Sequence, residues 1–315
     1  MDTKPLGTSG LQVSTVGIGC MNFGTMCDQA AVDGIVAAAF DSGVNFFDVA
    51  DIYGGQPGRS EQMLGKALAG RRADAIVATK FGAKVGGGGG AAPGGGSRDF
   101  IVRAVEASLA SLGTGHIDLY QHHFPDTATP PEETLRALDD LVRAGKVRHI
   151  GCSNYTGTQL RAAAAAAREL GAATFVSAQN RYSFISREIE AELVPACQEL
   201  GVGVLPYFPL ESGLLSGKYR ADAPLPAGSR FAKWRGGGSF ASPERYALVE
   251  RLRAWGEARG VGVLDIAIGW LASRPWVASV IAGVTTAEQV RANVAAAAFR
   301  PDATTDRELE ALRTG

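Results

Sequence analysis

Four side chains in this chain could together move a proton: Asp48, Tyr53, Lys80 and His123. Asp48 closes the short apolar run Asn45–Phe47, and a carboxylate ending a buried strand is costly unless a cation or hydrogen-bond donors meet it. Tyr53 follows in a segment broken by Gly54, Gly55, Pro57 and Gly58. Lys80 ends the run Ala75–Thr79, and His123 ends Ile117–His122. A phenol, with an ordinary pKa of about 10, is a reluctant acid at neutral pH. A neighbouring ammonium lowers that pKa, so Lys80 would tune Tyr53 while Asp48 holds Lys80 charged and oriented. His123 would donate a hydrogen bond to the substrate oxygen. Such a set suits proton delivery to a carbonyl oxygen as hydride reaches its carbon. Singly, each has a plainer reading: a turn cap, a loop-edge tyrosine, a structural ion pair, a satisfied core histidine. Their placing at corresponding ends of successive strands favours the joint reading.

The elements that must position them alternate along the chain. Strand patterns fall at Val16–Gly19, Asn45–Asp48, Ala75–Thr79, Ile117–His122, Val147–Cys152, Phe175–Gln179, Val202–Pro206 and Val277–Ala282. Helical patterns lie near Gln29–Ser42, Glu61–Ala69 (with Ser60 as N-cap), Arg98–Leu112, Pro131–Ala144, Thr158–Glu169, Ile189–Leu200, Leu264–Ala272 and Glu288–Ala297. Strict alternation with right-handed crossovers predicts an α/β fold, a (β/α)8 TIM barrel whose strand ends converge on one mouth. Lys4–Leu6 and Gln12–Ser14 flank a turn and predict an N-terminal β-hairpin plugging one end. Pro243–Gly260 and Thr304–Leu312 are two extra helices outside the repeat, and no linker divides residues 1–315 into more than a single domain.

With 46% hydrophobic and 20% charged residues, the chain can bury a large core. A formal net charge of −1 with dispersed Lys and Arg argues against nucleic acid or a membrane surface as partner. Neither a membrane-length apolar run nor a signal-peptide pattern is present, and Cys20, Cys27, Cys152 and Cys197 are spaced as free thiols, so a cytoplasmic location is expected. His122 and His123 are adjacent, point to opposite faces of a strand and cannot chelate one ion, so no metal is expected. A metal-dependent barrel hydrolase therefore lacks its ligands.

Several segments could mislead. Gly86–Gly96 mimics a dinucleotide-binding turn but leads to no strand with an acidic ribose ligand, and reads as a mobile loop. Gly213–Tyr219 is one residue short of a P-loop and lacks its closing Ser or Thr. Asp222–Ser242, rich in Gly and Pro and carrying Phe231, Trp234 and Phe240, reads as a lid.

Motifs spread over the chain carry a resemblance: F-F-D-V-A-D-I-Y-G with S-E-x-x-L-G-x-A-L at Phe46–Leu68, A-T-K-F-G at Ala78–Gly82, I-D-L-Y-Q-x-H at Ile117–His123, G-K-V-R-x-I-G-C-S-N-Y at Gly145–Tyr155 and G-L-L-S-G-K-Y at Gly213–Tyr219. In these the chain resembles the aldo-keto reductases, most closely the bacterial branch related to the potassium-channel β subunits. The resemblance implies a catalytic tetrad of Asp48, Tyr53, Lys80 and His123 and an NADPH-dependent reduction of aldehydes or ketones to alcohols. It implies a nicotinamide cofactor laid across the barrel mouth, its carboxamide held by Ser153, Asn154 and Gln179 and its ring stacked on Tyr207. Phe208, Pro209, Leu210, Gly213, Leu215, Gly217 and Lys218 would line pyrophosphate and ribose, and Gly283, Thr285, Thr286, Gln289 and Asn293 the adenosine end. Gly283–Thr286 lacks the Arg or Lys with which relatives often grip a 2′-phosphate, so kinship favours NADPH while the residues leave NADH open. Phe208 also replaces a Ser common in that branch.

Met21, Phe23, Phe81, Phe124 and Trp234 are candidates for an apolar substrate pocket favouring aromatic or medium-sized apolar carbonyl substrates, small molecules in either case. The alternative function is a cofactor-binding regulatory protein with little turnover, like the channel subunits.

Overall fold

The computed structural model describes residues 1–85, 89–233 and 237–314. Its strands are β1 (Thr3–Pro5), β2 (Gln12–Ser14), β3 (Val16–Gly19), β4 (Phe46–Asp48), β5 (Ile76–Phe81), β6 (Ile117–His122), β7 (Val147–Ser153), β8 (Phe175–Arg181), β9 (Gly203–Tyr207) and β10 (Val280–Gly283). Its helices are α1 (Gln29–Asp41), α2 (Arg59–Ala67), α3 (Arg98–Leu112), α4 (Pro131–Arg143), α5 (Gly157–Leu170), α6 (Leu193–Leu200), α7 (Arg230–Lys233), α8 (Pro243–Glu257), α9 (Val263–Ser273), α10 (Ala287–Ala296) and α11 (Ala303–Thr314). β3 to β10 form one parallel sheet in the order β10-β3-β4-β5-β6-β7-β8-β9. The ring closes where Val204 N donates to Trp276 O (2.9 Å) and Ala278 N to Val204 O (3.0 Å). The fold is a (β/α)8 barrel with an N-terminal hairpin.

That closure corrects the expected last strand, Val277–Ala282. The stretch is split between two neighbours: 276–278 bonds back to β9, and Val280–Gly283 pairs with β3. Two other boundaries differ in ways that matter for the site. β5 runs on to Phe81, so Lys80 lies inside a strand, in register with Gln121. α2 starts at Arg59, capped by Gly58 at φ 74°, and Ser60 is no N-cap, because its hydroxyl donates to Cys20 O at 2.8 Å. A left-handed cap of this kind is open to glycine at little steric cost.

Alternation along the strands sends one set of side chains into the barrel and the other towards the helices. Inside, Phe46, Ala78, Leu119 and Leu205 meet Leu6 and Val13 of the β1–β2 hairpin, which plugs the lower end. Outside, Phe47, Val77, Tyr120 and Ile150 pack in the sheet–helix layer. α11 is held by Trp270 Nε1 and Arg274 on Asp306 and by Trp255 Nε1 on Glu308. No helix among the described residues is long and apolar enough to cross a membrane.

The hairpin is tied down by one cation. Lys4 Nζ donates to the carbonyls of Ala272 (2.7 Å), Arg274 (3.1 Å) and Val277 (3.0 Å), which lie at the end of α9 and just beyond it. Charge-assisted bonds to carbonyls at a helix C-terminus are among the stronger surface interactions. Lys4→Ala should cost about 2 kcal/mol of unfolding free energy, read as a lower urea midpoint with an unchanged slope.

Candidate active site

Strand register builds the site. Asp48 ends β4 opposite Ala78, and two residues on in β5 Lys80 points to the same interior face. Lys80 Nζ donates to Asp48 Oδ1 at 2.5 Å and to Val49 O at 3.0 Å, and Lys80 is completely buried. The other carboxylate oxygen, Oδ2, accepts from Gln121 Nε2 of β6 (3.0 Å) and Gln179 Nε2 of β8 (2.8 Å). Asp48 is thus met by one cation and two amides, as its burial requires. Gln121 owes its room to Gly151 on the next strand, where an added Cβ would come within 2.2 Å of Ser177 Oγ and 3.2 Å of the Gln121 side chain.

Lys80 Nζ lies 5.1 Å from the centroid of the Tyr53 ring, and the Tyr53 ring meets His123 edge-on at 6.0 Å. Burial would depress the Lys80 pKa, but Asp48 and Tyr53 outweigh it and raise it above the usual lysine value. For Tyr53 burial is the largest influence and raises the phenol above its ordinary 10, against the charge of Lys80, which lowers it. The expected net lowering is therefore corrected: Lys80 acts in the expected direction, and desolvation wins. A phenol held protonated is the form that donates. His123 is pushed well below 6.5 by burial first and then by Lys80 and His122, so it is a neutral imidazole. The set comprises a protonated phenol, a buried ammonium, a neutral imidazole and a carboxylate that pins the ammonium.

Around this centre the mouth is built from strained or locked backbone. Among the described residues, the non-glycine residues at positive φ are Asn154 (61°), Phe208 (53°), Glu211 (46°) and Ser212 (57°), all following β7 or β9. Such backbone costs of order 1–3 kcal/mol per residue unless surroundings impose it. Here Glu211, fully buried, accepts from Arg181 (2.5 Å), Ser183 (2.6 Å) and Arg245 (2.5 Å), which fixes the turn after β9. Asn154 donates through Nδ2 to His123 O (2.9 Å) and Ser153 Oγ (3.1 Å), and its Oδ1 accepts from the Tyr207 hydroxyl (2.8 Å). Asn154 thus braces His123 to Tyr207. Gln179 Nε2 is taken by Asp48 and Gln121, which leaves its carbonyl oxygen as the group it can offer a ligand.

Other expected cofactor residues divide. Tyr207, Phe208, Leu210, Gly213, Gly217 and Lys218 reach the surface of the mouth to some degree, and Pro209 is buried between them. Leu215 is corrected: its side chain is fully buried in the core under α8 and α9, and its N–H is spent on Leu210 O. At the far side Gln289 Oε1 accepts from Thr285 N (2.8 Å), Thr286 Oγ1 accepts from Gln289 N to cap α10, Gly283 is exposed and Asn293 buried.

The expected substrate pocket is corrected at two positions. Phe23 and Phe81 have no exposed surface and pack in the sheet–helix layer, Phe81 stacked on Tyr120 and His122. Alternation explains Phe81: with Lys80 facing in, its neighbour must face out. Met21 is 37% exposed beyond β3, and Phe124 stacks on the His123 ring at 5.0 Å. Trp234 lies outside the described residues.

A sequence model of the Aldo/keto reductase family matches residues 15–313. The chain belongs to the aldo/keto reductase family. Among relatives of this aldo/keto reductase is a probable voltage-gated potassium channel subunit beta of Arabidopsis thaliana, 36% identical over 94% of this chain and 91% of the relative. An uncharacterized oxidoreductase of Bacillus subtilis, YrpG, is 34% identical over the same shares of each chain. The versiconal hemiacetal acetate reductase of Aspergillus parasiticus is 31% identical over 87% of this chain and 86% of its own length. Family and relatives support an oxidoreductase role.

Two residues of this chain escaped the sequence reading. Gln121 was legible in principle, since it lies two before His123 and shares its face. Arg230 was not: its Nη2 donates to Asn22 Oδ1 (2.9 Å) across 208 positions, and Asn22 Nδ2 holds Val284 O (3.0 Å). The Asp222–Ser242 segment is thereby tied to the loops after β3 and β10. Its Phe231 is buried, stacked on Tyr219 at 4.2 Å. The described part of the glycine-rich loop also folds back, with Ala83 bridging Ala91 and Ala92 N bonding Gly82 O.

Beside the site, His122 faces outward, its Nδ1 2.9 Å from the Tyr155 hydroxyl and its Nε2 buried with no partner among the described residues. Burial pulls its pKa from 6.5 to about 4. The unfolded chain therefore binds more protons below pH 6.5, and stability falls as pH drops from 6.5 through 4, by roughly 3 kcal/mol for this one group. His122→Asn should lose less stability than wild type over that window, measured by urea midpoints at stepped pH.

Proposed function

We propose that this chain is an NADPH-dependent carbonyl reductase that converts aldehydes or ketones to alcohols. The observation that supports it best is a buried ammonium, Lys80, held between the Asp48 carboxylate and the Tyr53 phenol in a cluster that opens to the barrel mouth. A reduced nicotinamide, when bound, supplies hydride to the carbonyl carbon. Tyr53 gives its proton to the carbonyl oxygen, and the phenolate left behind faces Lys80. His123, neutral, steadies the developing negative charge on oxygen by a hydrogen bond and does not compete as an acid. Asp48 keeps Lys80 charged throughout, and Tyr53 is reprotonated before the next turnover.

The mouth fits a flat amide-bearing ring. Ser153, Asn154 and the Gln179 oxygen would take the carboxamide, and Tyr207, its hydroxyl anchored on Asn154, would present its ring for stacking. Phe208 to Lys218 and Gly283 to Asn293 would carry the rest, Leu215 acting only as support. Gly283–Thr286 has no cation, but Arg230 brings a guanidinium to that side through Asn22 and Val284, which supports NADPH over NADH. The substrate would meet Met21 and Phe124. Four free, buried cysteines suit a cytoplasmic enzyme.

The plant relative's name supports a second reading, a cofactor-binding regulatory protein with little turnover. One experiment separates the two: a carbonyl panel assayed with NADPH and NADH, on wild type and Tyr53→Phe. The enzyme reading expects steady turnover with NADPH at least tenfold ahead, a loss of about 10³-fold in kcat for Tyr53→Phe, and NADPH affinity within threefold of wild type. Retention of more than a tenth of the rate by Tyr53→Phe would remove it from its role; absence of turnover on the whole panel would favour the regulatory reading.

A further inference from the structure

The two amides that meet Asp48 also meet one another. Gln121 of β6 is completely buried, and Gln179 of β8 is 2% exposed. β7 lies between them: Gln121 pairs with Gly151, and Ser153 pairs with Gln179. Gly151 has no side chain to fill the gap, and a Cβ there would press on Gln121 at 3.2 Å. Across that gap Gln179 Nε2 comes to 3.4 Å from Gln121 Oε1.

A carboxylate oxygen can only accept a hydrogen bond. Asp48 Oδ2 therefore draws the nitrogen of each amide, Gln121 Nε2 at 3.0 Å and Gln179 Nε2 at 2.8 Å. Turned that way, Gln121 directs its Oε1 to Gln179, a second acceptor for the same nitrogen. A flipped Gln179 would set its oxygen against two acceptors at once, the Asp48 carboxylate and the Gln121 carbonyl. Buried away from water, such a mismatch is costly. The orientation of Gln179 is thus fixed twice. Its Oε1 is bonded to no donor among the described residues and is left for a ligand.

On the neighbouring strand the polarity is opposite. Ser153, in register with Gln179, accepts through Oγ from Asn154 Nδ2 at 3.1 Å. Asn154 in turn is held by His123 O and the Tyr207 hydroxyl. The Ser153 O–H is then the group left to donate. An acceptor and a donor, side by side on paired strands, match the N–H and C=O of a primary amide.

We propose that Gln121 is a positioning residue for a nicotinamide carboxamide: it keeps Gln179 turned with its nitrogen to Asp48 and its oxygen to the mouth, beside the Ser153 hydroxyl. Gln121 itself touches Asp48 and Gln179, not the cofactor. The ion pair that holds Lys80 thereby also sets the polarity of the cofactor site. This rests on a nicotinamide cofactor being bound, which the enzyme and regulatory readings share, and not on turnover.

Three probes test it, each followed by quenching of protein fluorescence. They are NADPH, its acetylpyridine analogue, in which a methyl ketone replaces the carboxamide, and adenosine 2′,5′-bisphosphate, which has no nicotinamide. The methyl ketone keeps an acceptor for Ser153 but cannot donate to Gln179 Oε1. Wild type should bind NADPH at least about tenfold tighter than the analogue, since a site built to pair with an N–H rejects the ligand lacking it. Gln121→Met should cut that ratio to about threefold by weakening NADPH, Gln179→Leu should erase it, and both should bind the bisphosphate within about twofold of wild type. A ratio unchanged in Gln121→Met, or all three probes weakened alike, overturns the positioning role. So does wild type that binds NADPH and the analogue equally, a result that needs no variant to fold. Wild type that binds none of the probes overturns it together with the cofactor reading. Discriminating binding without turnover on any carbonyl supports it and counts against the reductase reading alone.

Discussion

The structure of the mouth depends on keeping one charge pair dry. Taking Asp48 and Lys80 out of water carries a desolvation penalty of several kcal/mol per ion, and contact between them offsets it only when the remaining hydrogen-bonding capacity is satisfied. Here the capacity is met from across the barrel: Val49 takes a second Lys80 proton, while Gln121 and Gln179 fill the other carboxylate oxygen. These partners come from the residue just after β4, from β6 and from β8, so the pair can be satisfied only when the strands are in register. The charge that the chemistry wants is also a check on barrel closure.

A rigid floor is of use only under a rigid rim. Asn154 ties His123 to Tyr207, and Glu211 gathers Arg181, Ser183 and Arg245 beneath the turn after β9. Left-handed backbone at Asn154, Phe208, Glu211 and Ser212 is concentrated there. Strain held in place by surrounding bonds keeps a surface open where relaxed turns would fold over it. On the opposite side Arg230 and Asn22 link the segment after β9 to the loops after β3 and β10, so the three flanks of the mouth are mechanically joined.

Much of this was legible in the chain because strand ends announce themselves. The runs ending at Asp48, Lys80 and His123 showed the alternation that makes a barrel and named the residues brought to one end. Parity was harder. Reading β5 as stopping at Thr79 left Lys80 and Phe81 both free to face the mouth, whereas the strand continues and sends Phe81 outward. A shift of one residue exchanges faces, and an apolar run does not declare which face is which. Leu215 failed for a related reason: a loop motif names its residues without saying which contribute side chain, backbone or packing. Arg230 could not be placed at all, because its partner is 208 residues away. The sign of the Tyr53 shift turned on burial depth, which a sequence does not carry.

The account is tested most directly by a double-mutant cycle on the buried pair, using urea unfolding and carbonyl reduction together. Lys80→Met alone should destabilise by about 3–5 kcal/mol, since it strands a buried carboxylate, and Asp48→Leu alone should do likewise. The double variant should recover most of that stability while all three lose at least about 10³-fold in kcat. Full activity in the double variant, or singles as stable as wild type, would contradict it.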